Sequence, residues 1–335
     1  MKVLFIGGTG KISTAVSRLA VERGIDLYHL NRGQRGVSLP GVTTLTADIT
    51  RPTEAARALE GHRFDAVVDW IAFTEADIER DLGLFRGKVG QYVFISSASA
   101  YQKPPASPII TEATPLYNPF WQYSRNKIAC EERLMRAYRE EGFPITIVRP
   151  SHTYDSNFPI AIGGWDTYTL PDRLLRGAPI IVHGDGTSLW VVTHSRDFAK
   201  AFVPLLGHPQ AIGQAFHITS DQVLTWNQIY TTLAQALGVE PKIVHMPSDF
   251  IARLEPEIGA GLLGDKAHSV IFDNSRIKRL VPEYTATIPF HLGVRETLAW
   301  FQADPARLRV DERVNAQMDR LIAAYQAATG VDPAS

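Results

Sequence analysis

The sequence predicts an α/β fold: a doubly wound parallel sheet with a smaller C-terminal lobe. Three observations carry this. The first fourteen residues run from a compact apolar stretch, Lys2–Ile6, through Gly7-Gly8-Thr9-Gly10 into a segment whose Ile12, Val16 and Leu19 recur at helical spacing. Strand-length apolar runs then alternate with helical segments as far as Tyr154, which is the rhythm of a parallel sheet. Beyond Tyr154 that rhythm fades into irregular connections, where a second lobe is expected.

The opening strand, glycine turn and helix start together form a site for a dinucleotide pyrophosphate. The helix's unpaired N–H groups and positive dipole end face the anion, and missing Cβ atoms let the backbone approach it. Gly7, Thr9, Gly10, Lys11 and Ile12 are the candidate contacts. Gly24 ends the helix, and Ile25–Leu30 reads as a second strand ending in Asn31-Arg32, with Arg35 close behind. An acid at that strand end binds the 2′-hydroxyl of NAD, whereas an arginine accommodates the 2′-phosphate of NADP. Asn31, Arg32 and Arg35 therefore read an NAD(P) site towards NADP.

Val42–Leu45 is a third strand leading to Asp48-Ile49, a pair placed to border the adenine. Pro52–Leu59 is helical, and Phe64–Asp69 is a buried fourth strand whose end, with Ile71 and Ala72, faces the cofactor. Glu75–Phe85 is an amphipathic helix, and Gln91–Ile95 a fifth strand running into Ser96-Ser97-Ala98-Ser99. Gln102–Pro119 carries five prolines and reads as a surface loop. Tyr123–Glu140 is one long helix, and Pro144–Val148 a sixth strand followed by Arg149-Pro150-Ser151-His152-Thr153-Tyr154. Asp155–Trp165 is loop-like, Thr169–Arg176 a short helix, and Ile180–Val182 a strand entering the turn Gly184-Asp185-Gly186. The expected division is a cofactor domain over 1–155, to which 190–221 returns, and a substrate lobe from 156–189 and 222–335.

Composition narrows the function classes. Of 335 residues, 45% are hydrophobic and 21% charged, as in an ordinary globular protein. The net charge of −1 gives no footprint for nucleic acid or an anionic membrane. Cys130 is the single cysteine, so no internal disulfide or cysteine-based metal site is expected. His183 and His194 have no ligand-spaced partner, so no metal is expected either. No apolar run reaches membrane-span length, and the first residues are already a core strand, not a signal peptide, so the cytoplasm is the expected location.

Tyr123 and Lys127 lie four residues apart on one helix face. A tyrosine is a poor base near neutral pH, and a neighbouring ammonium favours its phenolate, making it usable for proton transfer. Ser97, ending the preceding strand, can hydrogen-bond the same substrate oxygen. His152 is either a second acid/base or polar lining. Asn118, Phe120 and Trp121 are either pocket wall or loop packing.

At these residues the chain resembles the extended short-chain dehydrogenase/reductase superfamily, the group of NAD-dependent epimerases, dehydratases and sugar reductases. Gly7-x-x-Gly10-x-x-Ser13 is similar to its glycine motif, with Ser13 in place of the third glycine. Phe94–Tyr101 resembles its active-site serine strand, Tyr123-Ser124-Arg125-Asn126-Lys127 its YxxxK, and Arg149–Tyr154 its RPxxxY segment beside the nicotinamide. Ser195-Arg196-Asp197, Ala215–Asp221, Phe272–Leu280 and Gly293–Thr297 match later parts of the same architecture. The resemblance implies a Rossmann-type sheet and catalytic Ser97, Tyr123 and Lys127, with Ser99 as the second choice of serine. It also implies that Lys127 lowers the Tyr123 pKa and holds the nicotinamide ribose. Pro150 and His152 would flank the nicotinamide, and Ser97, Ser99, Trp121, His152 and Trp190 the substrate. The implied partner is a small sugar-like molecule, and the family's habit of pairing through the Tyr123 helix and the one before it implies a homodimer.

Two features depart from the family. Its dehydratases carry an acidic pair after the active-site serine, where this chain has Ala98 and Ser99. Its nucleotide-sugar enzymes place an arginine four residues after the glycine turn, where this chain has Trp190. Arg173, Arg196 and Arg276 are candidates to replace that arginine, and Trp190 is a candidate to stack on a sugar ring. The expected activity is hydride transfer at a hydroxyl or carbonyl, by an oxidoreductase or an epimerase. The rival reading is a non-catalytic dinucleotide- or RNA-binding member of the same fold. Such members often lose the YxxxK tyrosine, which is intact here.

Overall fold

The computed structural model describes residues 1–33 and 39–330, so Arg35 lies outside the described residues. Lys2–Ile6 (β1), Asp26–Asn31 (β2), Val42–Thr46 (β3), Phe64–Asp69 (β4) and Val89–Ile95 (β5) join Ile145–Pro150 and Gln214–Ile218 in one seven-stranded sheet. Every pairing in it is parallel. The order runs Gln214–Ile218, Ile145–Pro150, β5, β4, β1, β2, β3, so the winding reverses between β1 and β4. That reversal opens a crevice at the carboxyl ends of the two strands, where ligands of doubly wound sheets bind.

The first strand shows why its apolar run is continuous and not alternating. Val3 and Phe5 pack on one sheet face with Val16 and Ala20 of the helix Lys11–Glu22 (α1) and with Phe198 and Phe202. Leu4 and Ile6 pack on the other, with Ile78 and Leu82 of Glu75–Phe85 (α3) and Leu134 of Gln122–Glu141 (α4); Pro52–Ala58 (α2) adds Ala55. A parallel strand covered by helices on both faces must be apolar at every position.

The later chain builds a second core, in which Tyr154, Trp190, Trp226 and Tyr230 pack with Phe290 and Phe301. Val192–His194 pairs in parallel with His152–Tyr154. The segment 102–119 departs from the surface loop expected of it. Lys103, Ile110 and Asn118 are all buried, and Ile109–Ile110 pairs with Ile271–Phe272. Its prolines end regular structure locally, but its burial depends on a partner far along the chain, which no local pattern records. Among the described residues, no helix is long and apolar enough to cross a membrane.

Candidate active site

The turn after β1 is held by its own side chains. Gly7 has φ +83°, and a Cβ there would lie 2.5 Å from Ile71 Cγ2. A Cβ on Gly8 would lie 2.4 Å from His29 Nε2, so the ring of a β2 residue occupies that space. Ser13 Oγ accepts from the Gly10 amide at 2.8 Å and donates to the Gly7 carbonyl at 3.1 Å, bracing the turn from inside α1. Ser17 Oγ donates to the Gly8 carbonyl at 3.2 Å and lies 2.9 Å from His29 Nε2. Burial lowers the His29 pKa to about 4. The first turn of α1 carries no acidic residue, so nothing there opposes an anion.

The remaining cofactor candidates lie around this turn. Thr9, Gly10 and Ile12 are half-buried at the start of α1. Lys11 Nζ donates to the Ser156 carbonyl at 3.2 Å and lies 5.3 Å from the Trp165 ring. Asn31 ends β2, with Arg32 exposed beside it. Asp48 Oδ1 accepts from the Thr50 hydroxyl and amide, which, with Arg32 and Arg51 nearby, hold its pKa below the usual range. Ile49 is packed into the sheet core beside it. Ile71 is 40% exposed at the end of β4 while Ala72 is buried. Their amides donate to Asp69 Oδ1 at 2.6 and 2.8 Å, and Arg80 stands 3.3 Å from the other Asp69 oxygen. A glycine turn, a helix start free of acids and a braced strand end fit a dinucleotide.

Ser97 is half-buried at the end of β5, with Ser99 behind it. Ser124 Oγ donates to Ser99 Oγ at 2.8 Å, and Ser99 Oγ lies 2.9 Å from Ser97 Oγ. The chain of hydroxyls makes Ser97 the outer serine and Ser99 its support. Burial pushes the Tyr123 phenol up to about 12, and a hydrogen bond with Ser97 pulls the other way. Lys127 Nζ donates to the carbonyls of Ala72 at 2.7 Å and Ile95 at 2.8 Å, and lies 5.9 Å from the Tyr123 ring centre. Burial lowers its own pKa to about 8. Ser97 is thus the group that opposes burial at the Tyr123 phenol, while the Lys127 amine is held by two backbone carbonyls.

Asn118 ties this site together. Its Nδ2 donates to the Ser99 carbonyl at 2.9 Å and the Gly264 carbonyl at 2.6 Å, while its Oδ1 accepts from the Trp121 amide at 3.0 Å. Trp121 lies half-buried with its ring 4.8 Å from that of Tyr123. Pro150 is buried at its strand end, opposite Ile218. His152 is half-buried, its ring 6.4 Å from Trp226, and burial lowers its pKa to about 3, so it is a neutral imidazole. Trp190 is only 2% exposed and packs on Trp226 at 5.4 Å, so its ring faces already meet protein and the expected free stacking face is absent. The three arginines considered for the missing clamp each have a carboxylate partner. Arg173 is buried against Asp319 at 2.7 Å, Arg196 bonds Glu296 at 2.5 Å, and Arg276 lies 3.7 Å from Glu112. His194 caps the helix Ser195–Phe202 by accepting from the Arg196 amide at 3.2 Å. Among the described residues no cluster of three metal-ligating side chains occurs. Sequence reasoning missed Lys266 and Trp226 as neighbours of Trp190, because they lie on separate segments with no motif spacing between them.

Residues 84–219 match the model of the NAD dependent epimerase/dehydratase family, a span holding Ser97, Tyr123, Lys127 and Trp190. The chain is 28% identical over 290 residues to 2′-dehydrokanamycin reductase of Streptomyces kanamyceticus, covering 85% of this chain and 80% of that one. It is 27% identical over 265 residues to chloroplast stem-loop binding protein of 41 kDa b of Arabidopsis thaliana, covering 74% and 67%. Its fold is that of epimerase Mth375 of Methanothermobacter thermautotrophicus, with a TM-score of 0.76, 16% identity and coverage of 92% and 94%. The resemblance to the extended short-chain dehydrogenase/reductases and the Rossmann-type sheet are thereby borne out, and members of the matched family are NAD-dependent epimerases and reductases.

Proposed function

We propose that this chain is an NAD(P)-dependent oxidoreductase or epimerase that acts on a hydroxyl or carbonyl of a sugar-like molecule, with Tyr123 as its acid/base. The observation that carries the reading is the hydroxyl chain Ser124–Ser99–Ser97, which ends beside Tyr123 at the carboxyl edge of the sheet, next to the braced end of β4. When bound, the nicotinamide supplies or takes the hydride. Tyr123 moves a proton at the substrate oxygen, and Ser97 donates a hydrogen bond to the same oxygen as charge develops there. Lys127 uses two N–H bonds on backbone carbonyls and turns the third to a cofactor ribose hydroxyl. Gly7, Thr9, Gly10, Lys11 and Ile12 hold the pyrophosphate, Asn31 and Arg32 favour NADP, and residues 156–189 and 222–335 form the substrate lobe.

Tyr123→Phe tests this reading. Hydride transfer to a panel of keto-sugars is expected to fall at least about a hundredfold, with cofactor affinity unchanged. Unchanged turnover overturns it. An absorbance spectrum of the purified protein separates the two activities: an epimerase retains its nicotinamide through turnover, whereas a reductase releases it.

The relation to a stem-loop binding protein supports a second reading, RNA binding on the same fold. The net charge of −1 runs against it. Fluorescence anisotropy with a labelled RNA stem-loop decides: salt-sensitive micromolar binding supports RNA recognition, and its absence leaves the enzyme.

A further inference from the structure

Building on the reading of Tyr123 as acid/base, we propose that Lys266 is the charged substrate-recognition residue. The substrate it selects is a hydroxylated ring bearing one anionic group, a carboxylate or a monophosphate.

Lys266 ends a π-helical turn, Leu262–Lys266, a local geometry that often marks functional positions. Its backbone carbonyl accepts from Trp226 Nε1 at 3.0 Å and meets His183 Nε2 at 3.0 Å, so two side chains of the second core fix where the lysine starts. Asn118 fixes the preceding turn to the active-site serine strand through Gly264. The Lys266 ammonium then lies 5.3 Å from the ring centre of Trp121, the neighbour of Tyr123, and 6.0 Å from that of Trp190.

Three nitrogens on rings packed around Trp226 have no protein partner: His152 Nδ1, His183 Nδ1 and Trp190 Nε1. His183 and Trp190 are 1% and 2% exposed, and all three rings lie within 6.4 Å of the Trp226 ring. Buried polar atoms left unpaired destabilise the fold, and their grouping marks a place where ligand oxygens complete the bonding.

The charge balance gives the sign of the ligand. Asp265 lies 3.4 Å from Lys266 and 3.8 Å from Lys103, whose pKa burial lowers, so two amines face a single carboxylate and the formal balance favours an added anion. Burial keeps the imidazoles of His152 and His183 neutral, with pKa values of about 3 and about 4, so they neither add to that charge nor cancel it. A single anionic group satisfies the site, and a polycation is repelled by it.

The test titrates four hexose probes at pH 7 into protein saturated with NADP, following tryptophan fluorescence: glucuronate, glucose 6-phosphate, glucose and glucosamine. One or both anionic probes are expected to bind about ten- to a hundredfold more tightly than the neutral and cationic ones, the range of a charge-assisted hydrogen bond. Comparison of the two anions identifies carboxylate or phosphate. Lys266→Gln is expected to erase the preference and Lys266→Arg to retain it, with NADP affinity unchanged in both. Equal binding of glucose, tighter binding of glucosamine, survival of the preference in Lys266→Gln, or binding of none of the four overturns the proposal. Because binding is read without turnover, these outcomes are independent of the Tyr123→Phe result.

Discussion

The ammonium of Lys127 donates a 2.7 Å hydrogen bond to the carbonyl of Ala72, joining the second turn of α4 to the loop that follows β4. A second bond, to Ile95 at 2.8 Å, joins the same nitrogen to the end of β5. One buried side chain thus sets the spacing between the cofactor edge of the sheet and the helix that carries Tyr123. Lys127→Met is expected to lower turnover at least about a hundredfold and also to weaken cofactor binding, since it removes both the positioning and the ribose donor. Steady-state kinetics with a cofactor titration checks this; a loss confined to either quantity contradicts the dual role.

Ser13 stands where the related motif has a third glycine, yet its hydroxyl makes two bonds to the turn itself. Ser13→Ala leaves the Gly10 amide and Gly7 carbonyl without that partner. A stability loss of about 1–3 kcal/mol is expected, with cofactor affinity several-fold weaker. Urea unfolding and calorimetric titration measure the two. Wild-type values for both would mean that the bracing has no energetic role.

Arg32 is exposed at the end of β2, where no acid stands. Arg32→Ala is expected to weaken NADP by about tenfold and to leave NAD within twofold, because only NADP carries the 2′-phosphate. Equal effects on the two dinucleotides would sink the phosphate contact.

Three imidazoles, His29 and His183 buried and His152 half-buried, make the fold acid-sensitive. Burial lowers the pKa of His29 to about 4, of His152 to about 3 and of His183 to about 4, from an ordinary 6.5. The unfolded chain therefore takes up protons first as the pH drops. Stability is complete above about pH 6.5 and is lost progressively down to about pH 4 for His29 and His183 and about pH 3 for His152, by on the order of 1 kcal/mol per histidine per pH unit. Urea midpoints at pH 7 and pH 5 test it, and equal midpoints would contradict the burial of these rings as neutral groups.

By itself the sequence determined the sheet, the glycine turn and the serine, tyrosine and lysine positions. Each is written locally: an apolar run of strand length, a turn that needs glycine at Gly7, a four-residue helical spacing from Tyr123 to Lys127. The tertiary structure decided everything that depends on segments distant in the chain. It buried Trp190 against Trp226, buried the segment 102–119 by pairing Ile109–Ile110 with Ile271–Phe272, and gave Arg173, Arg196 and Arg276 carboxylate partners. It also brought Lys266 beside Trp121, which no spacing foretold. Periodicity records which face of an element turns inward, because that depends on neighbouring residues. What the face meets, and which charges are paired, depends on chain tens to more than a hundred residues away, and is fixed only when the elements pack.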